Sequence, residues 1–165
     1  MRVYLPAIWT TLRCLVDTGE VGPRPIAGFA VTPGLREWYQ DDDLEALEYA
    51  ALVEAGRASL RLLATVPAAP RRRVVLAADV PDELVEVRDD LNRGAVQLAA
   101  PVTLGQLASA HVDDGEAEAA VSAAANVVAQ TDVDDATARE ILDDVEGFEL
   151  SWYATQEIPS LLQAS

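Results

Sequence analysis

The chain has 165 residues, half of them hydrophobic, the length and apolar content of one domain able to close its own core. Its net charge of −16 argues against nucleic-acid and anionic-membrane binding, both of which need cationic surface. With a single cysteine, Cys14, an intramolecular disulfide is excluded, and no apolar run approaches the length of a membrane span.

The N-terminus lacks the basic and apolar regions of a signal peptide, so a cytoplasmic protein is expected. All twelve basic residues are arginine, which together with abundant Ala, Val, Asp and Gly points to GC-rich coding rather than function. The charge is uneven. Residues 1–82 carry nine arginines against eleven acids, whereas residues 83–165 carry three against seventeen. Salt adaptation would spread acid over the whole chain, so the pattern points to a locally acidic face.

Arg2 to Leu5 alternates Val3 and Leu5 against Arg2 and Tyr4 and predicts a short first strand. Ala7 to Asp17 follows as a helix with Ile8, Leu12, Leu15 and Val16 on one stripe, Trp9 and Arg13 on a neighbouring face, and Gly19 as terminator. Cys14 reads as a small core residue. Glu20 to Pro25 is loop-like, and Ile26 to Val31 is a short strand or an extended connection. Thr32-Pro33 is a helix-start signal for Pro33 to Gln40. Asp41-Asp42-Asp43 then opens a long helix to about Thr65, its carboxylates near the positive end of the dipole. The seam of that helix is Leu47, Ala51, Ala55, Ala58 and Leu62, widened by Leu44, Leu52 and Leu63.

Arg73 to Val80 has the plainest pattern in the chain. Its continuous apolar run, bounded by Pro70 and Pro81, needs two dry faces and predicts a central strand with layers on both sides. Pro81 to Arg93 is polar, with a short excursion at Val85–Val87; Ala95 to Ala100 is a strand, Thr103 to Leu107 one helical turn, and Ser109 to Val112 a further strand. Asp113-Asp114-Gly115-Glu116 has capping-box spacing, with Asp in place of Ser or Thr, before a helix to Gln130. Ala117, Ala120, Val121, Ala124 and Val128 face inward on it. A second acidic start at Asp132 to Asp135 opens a helix to Glu146 with Ala138, Ile141, Leu142 and Val145 inward, closed by Gly147. Phe148 to Ala154 alternates as a last strand, with Phe148, Leu150, Trp152 and Ala154 on its dry face, before a tail turn around Pro159.

No repeat or linker divides the chain, so residues 1–165 are expected to form a single domain. The elements predict an α+β or α/β sandwich with a mixed sheet of about five strands. Strands 2–5, 73–80, 95–100 and 150–154 with helices 43–65 and 114–130 would give an elaborated ferredoxin-like βαββαβ core.

Five stretches carry a family resemblance: Arg2-Val3-Tyr4-Leu5-Pro6, residues Ala30 to Tyr39, Glu48-Tyr49-Ala50-Ala51, His111-Val112-Asp113-Asp114 and Trp152-Tyr153-Ala154. Across nearly its whole length the chain resembles a family of short, uncharacterised actinobacterial proteins, a domain of unknown function. The resemblance implies one intact cytoplasmic domain and transfers no catalytic residue.

His111, Asp113 and Asp114 are the first residues to weigh for a metal or an acid–base pair, because on a strand His111 and Asp113 share a face. Against this, both aspartates serve as helix caps, and a single histidine misses the usual ligand spacing, so no metal is expected. Asp79 ends the central strand, where open α/β sheets place ligand groups, or it is the turn residue before Pro81. Neither a phosphate loop nor a GxGxxG pattern is present, and no cofactor is expected. Arg71-Arg72-Arg73 suits an anion or pairs with the acidic second half. Arg36, Trp38, Tyr39, Trp152 and Tyr153 are the residue types that anchor interfaces. The sequence thus predicts a non-catalytic binding or adaptor module with an acidic and aromatic surface and a partner of basic surface. The alternative is a small enzyme or ligand-binding protein with a polar site around His111, Asp113 and Asp79.

Overall fold

Apolar runs and alternating stretches become strands, and the alanine-rich periodic stretches become helices. In chain order the strands are β1 (Arg2–Ala7), β2 (Glu20–Val21), β3 (Ile26–Phe29), β4 (Val74–Asp79), β5 (Val85–Val87), β6 (Ala95–Leu98), β7 (Val102–Thr103), β8 (Leu107–Val112) and β9 (Ser151–Ala154). The helices are α1 (Trp9–Thr18), α2 (Pro33–Tyr39), α3 (Leu44–Thr65), α4 (Glu118–Ala129), α5 (Asp135–Glu146) and α6 (Ile158–Gln163). The computed structural model describes residues 1–22, 26–40, 42–130 and 134–164; the expectations for Pro23, Pro25, Asp41 and Asp132 lie outside them.

The protein is α+β. Its main sheet runs β5-β6-β3-β1-β4-β8-β9, and a two-residue pairing of β2 with β7 lies apart from it. Every pairing is antiparallel. The sheet is therefore seven-stranded and antiparallel, not mixed with about five strands. The reason is the route of the chain: β1 and β4 are joined through α1, β3 and α3, yet lie side by side over six register pairs from Arg2↔Asp79 to Ala7↔Val74. A split βαβ unit needs a strand inserted between those two, so the pairing differs from a ferredoxin-like core.

β4 is central, as its apolar run predicts, and Val74 to Ala78 are all buried. Val74, Leu76 and Ala78 join Val3, Leu5, Leu12, Leu15, Ala110, Val112 and Ile158 in a core beneath α1 and α6. Val75 and Ala77 face the other way, into a core with Tyr4, Phe29, Leu35, Leu47, Ala51 and Ala55 under α2 and α3. A third cluster ties Leu60 and Leu63 of α3 to Val121, Ala124 and Ala125 of α4 and Val145 of α5.

The helix starts follow local chemistry. Thr32 Oγ1 accepts from the Leu35 amide at 3.2 Å and Pro33 opens α2, while the Asp43 carboxylate accepts from the Glu45 amide. Gly19, at φ 83°, closes α1 in a left-handed conformation that glycine adopts at no steric cost. Five details depart from the sequence reading. Trp9 is buried rather than lateral, with the Arg72 guanidinium 5.0 Å from its ring centroid, and Cys14 is exposed. The α3 seam passes through Ala50, Ser59 and Leu63, leaving Leu44 and Leu62 exposed. Val128 likewise is exposed on α4. Asp114 caps nothing with its side chain; its carboxylate accepts from Ser151 Oγ at 2.9 Å. Among the described residues no helix is long and apolar enough to cross a membrane.

Candidate functional site: a polar cleft beside the long helix

The face of the sheet under α3 is apolar at one end and polar at the other. Register places Tyr4, Ala77 and Ser109 side by side across β1, β4 and β8. One step along the strands, Val75, His111 and Trp152 form the next row. Ala77 and Ser109 are small and form a low floor; Glu45, Glu48, Tyr49 and Leu52 of α3 supply the opposite wall. The result is an open cleft of about 300 Å³.

Each polar group on the floor has a partner. Tyr4 Oη donates to Glu48 Oε2 at 3.0 Å, and burial, then the Glu48 carboxylate, push the phenol up to about 12, so it stays protonated at neutral pH. Ser109 Oγ lies 3.1 Å from His111 Nε2. Burial, and then the Arg2 charge, lower the imidazole below its ordinary value, which favours neutral histidine. Arg2 holds Asp79 with two bonds, Nε to Oδ1 at 2.7 Å and a terminal nitrogen to Oδ2 at 3.0 Å, keeping that carboxyl below the usual range. A second hollow of about 490 Å³ meets the first at Arg2 and Glu48 and is lined also by Met1, Val31, Arg36 and Asp79.

The sequence candidates are separated by this geometry. Asp79 and His111 lie on the same sheet face but in adjoining hollows. Asp113 is buried away from both: it receives Arg73 Nε, an Arg73 terminal nitrogen and the Arg73 amide, each at 2.8 Å. Arg73 thereby pairs with the acidic second half, while Arg71 bonds the main-chain carbonyls of Leu63 and Val66 at the end of α3.

Of the aromatic set, Trp152 stands on the cleft rim, 61% exposed. Tyr153, one residue on, points to the opposite face and packs on the core under α1 and α6. The dry face expected of β9 is thus wrong at its end, because Trp152 extends beyond the cover that α3 gives Leu150. Arg36 lines the second hollow. Trp38 and Tyr39 are exposed on α2, where the Arg93 guanidinium lies 3.3 Å from the Trp38 ring centroid.

Sequence reasoning missed Arg2, Tyr4, Glu45, Glu48, Tyr49 and Ser109 as site residues. Two signals carry them. Glu45, Glu48, Tyr49 and Leu52 fall at helical i, i+3, i+4, i+7 spacing, and Arg2/Tyr4 and Ser109/His111 alternate on strands. Separately, the Asp89 carboxylate receives Thr32 Oγ1 at 2.6 Å and the amides of Gly34 and Gly94, pinning α2 to the loop before β6. Burial raises that carboxyl and the three donors outweigh it, so its net shift is downward.

Fold and cleft together define an α+β protein whose antiparallel sheet carries an acidic, aromatic-rimmed hollow beside its longest helix. The chain belongs to DUF6912, a family of unknown function, whose model matches residues 1–162. Comparison with curated proteins and with solved structures gave no significant match.

Proposed function

We propose that the protein is a non-catalytic binding module of the cytoplasm that receives a basic segment of a partner protein in the cleft beside α3. One observation carries this reading: two exposed aromatics, Tyr49 at 55% and Trp152 at 61%, line the same cleft as Glu45 and Glu48. Aromatic faces and carboxylates around a hollow suit a guanidinium or ammonium, each exposed cation–π contact contributing about 0.5–1 kcal/mol. In the cleft itself Glu45 and Glu48 outnumber Arg2, whereas the adjoining hollow sets Glu48 and Asp79 against Arg2 and Arg36. The net charge of −16 favours a basic protein over nucleic acid or an anionic membrane.

The Ser109–His111 contact supports a second reading, a small hydrolytic or ligand-binding site. A nucleophile–base pair needs a third group to orient the base. Among the described residues no carboxylate bonds His111: Glu45 and Glu48 share its cleft without a hydrogen bond to it, Glu48 accepting from Tyr4, while Asp79 is held by Arg2 and Asp113 by Arg73. The binding reading is therefore preferred.

Fluorescence-polarisation titration of a labelled arginine- and lysine-rich peptide tests it. Trp152→Ala should weaken binding roughly two- to fivefold, the scale of a lost exposed cation–π anchor. Removing two charges far from the cleft, with Asp143→Asn and Asp144→Asn together, should leave most of the affinity. If the distant charge change weakens binding while Trp152→Ala leaves it unaltered, the peptide is held by net charge alone and the cleft is not the site.

A further inference from the structure

Gly56 sits in the interior of α3, where glycine is the least favourable residue short of proline. Interior glycines normally answer to a close neighbour. Gly56 does not: a Cβ built there would find Leu150 Cδ1 at 4.0 Å and nothing nearer. Yet the residue is buried, so its missing side chain leaves room within the helix layer rather than at the outer surface. Two hollows meet there, of about 110 and 240 Å³, sharing Gly56, Arg57, Arg73 and Glu146.

The walls of the larger hollow are Leu60, Val128, Leu142 and Val145, from three helices. Its cations differ in their commitments. Arg57 bonds Glu54 at 2.7 Å and Glu146 at 2.6 Å, and Arg73 is held by Asp113. Arg61, one helical turn beyond Arg57, lines the mouth, is exposed, and has no carboxylate within ion-pair distance among the described residues. The charges around the hollow therefore balance: Arg57 and Arg61 offset Glu54 and Glu146, and Arg73 offsets Asp113. The strongly negative field of the whole chain is screened within about 10 Å at 0.1 M salt, so the guanidinium at the mouth sets the local preference.

We infer that the hollow between α3, α4 and α5 is a second binding site, independent of the cleft, for a small organic acid with an apolar body. The apolar part rests on Leu60, Val128, Leu142 and Val145, the carboxylate on Arg61, and the missing side chain at Gly56 keeps the floor open. The chemistry is that of small-ligand sites generally, apolar walls with one polar group that fixes orientation.

Octanoate and 1-octanol, which share a chain length and differ in charge, are the probes, titrated into the full chain and followed by amide shifts at Gly56, Leu60 and Val145. Octanoate is expected to shift these resonances saturably and octanol far more weakly. Arg61→Gln should reduce octanoate affinity several-fold and abolish the preference over octanol. Gly56→Ala should raise the melting temperature, because the methyl enters open space and removes a helix-interior glycine, while weakening octanoate. No saturable shift with octanoate overturns the site. Equal binding of the two probes, or no effect of Arg61→Gln, overturns its assignment to an anion. A lower melting temperature for Gly56→Ala overturns the open floor on which it rests.

Discussion

The two faces of the central sheet are built from alternate residues of the same strands, yet one is sealed and the other is not. Under α1 and α6, Val3, Leu5, Val74, Leu76, Ala110 and Val112 form an unbroken apolar layer. Under α3 the layer is apolar as far as Val75 and Leu47, then gives way to Tyr4, Ser109 and His111 at the cleft. Position within a sheet does not decide burial; the cover above it does. The contrast recurs within β8 and just beyond it. His111 and Asp113 share the α3 side, two residues apart, but one borders an open cleft and the other is sealed in an ion pair.

The largest effect should come from the sealed member of that pair. The Asp113 side chain is fully buried, and Arg73 also donates to the Phe148 carbonyl at 2.9 Å, so the pair joins β4, the end of β8 and the approach to β9. Asp113→Ala strands a buried guanidinium, which costs about 3–5 kcal/mol, a large part of a typical domain's stability. Urea denaturation should show that loss. A cost under about 1 kcal/mol would mean that Arg73 reaches solvent, and that the sealed and open ends of this face do not differ as described.

A paired substitution across the sheet sharpens the contrast at smaller scale. Leu76→Ala removes a fully buried side chain from the sealed face and should cost about 2–5 kcal/mol. Ser109→Ala, on a neighbouring strand but facing the cleft, removes one hydrogen bond to His111 and should cost about 1 kcal/mol or less. Similar midpoints for the two variants in urea would show that the cleft floor is packed as tightly as the sealed face.

How much of this was legible follows from the same contrast. The central strand was readable because continuous apolar sequence has one cheap solution, burial on both sides. Thr32-Pro33, Asp43 and Gly19 were readable because caps are local chemistry. Strand order was not, because every pairing in the main sheet except β5 with β6 joins residues far apart in the chain, and β2, β5 and β7 are too short to carry a period. The parity of β8 was hidden by a register shift between Ala77 and Ala78. It pairs Ala77 with Ser109 but Ala78 with Leu107, letting Leu107 join the sealed face while Ser109 and His111 face the cleft. Trp152 was misplaced for a related reason: alternation names a face correctly but not where a helix stops covering it. The polar site was half visible, through His111, Asp79, Arg36 and Trp152. Its other half, Arg2, Tyr4 and Glu48, is assembled by long-range pairing alone.

The smallest expected effect belongs to the open member of the first pair. His111 is faced by Ser109 on its own strand, by Arg2 and Tyr4 from β1, by Trp152 from β9 and by Glu45 and Glu48 from α3. Burial first, and Arg2 second, hold its imidazole below the ordinary value of 6.5. As pH falls, the unfolded chain therefore takes up the proton before the folded protein does, and folding is penalised. The stability owed to the neutral ring is complete above the ordinary histidine value and is lost as pH falls through it toward the lower folded value. Asp79 and Asp89, whose carboxyls lie below their ordinary 3.8, lose their contributions only in more acidic solution, so the windows separate. The melting temperature should fall modestly between about pH 7.5 and pH 5.5, around the histidine range. His111→Gln should flatten that slope without changing the fall below about pH 4, where carboxylates titrate. If the variant keeps the full slope between those two pH values, the imidazole is as well solvated folded as unfolded, and the cleft is wetter at its floor than the burial of Ser109 implies.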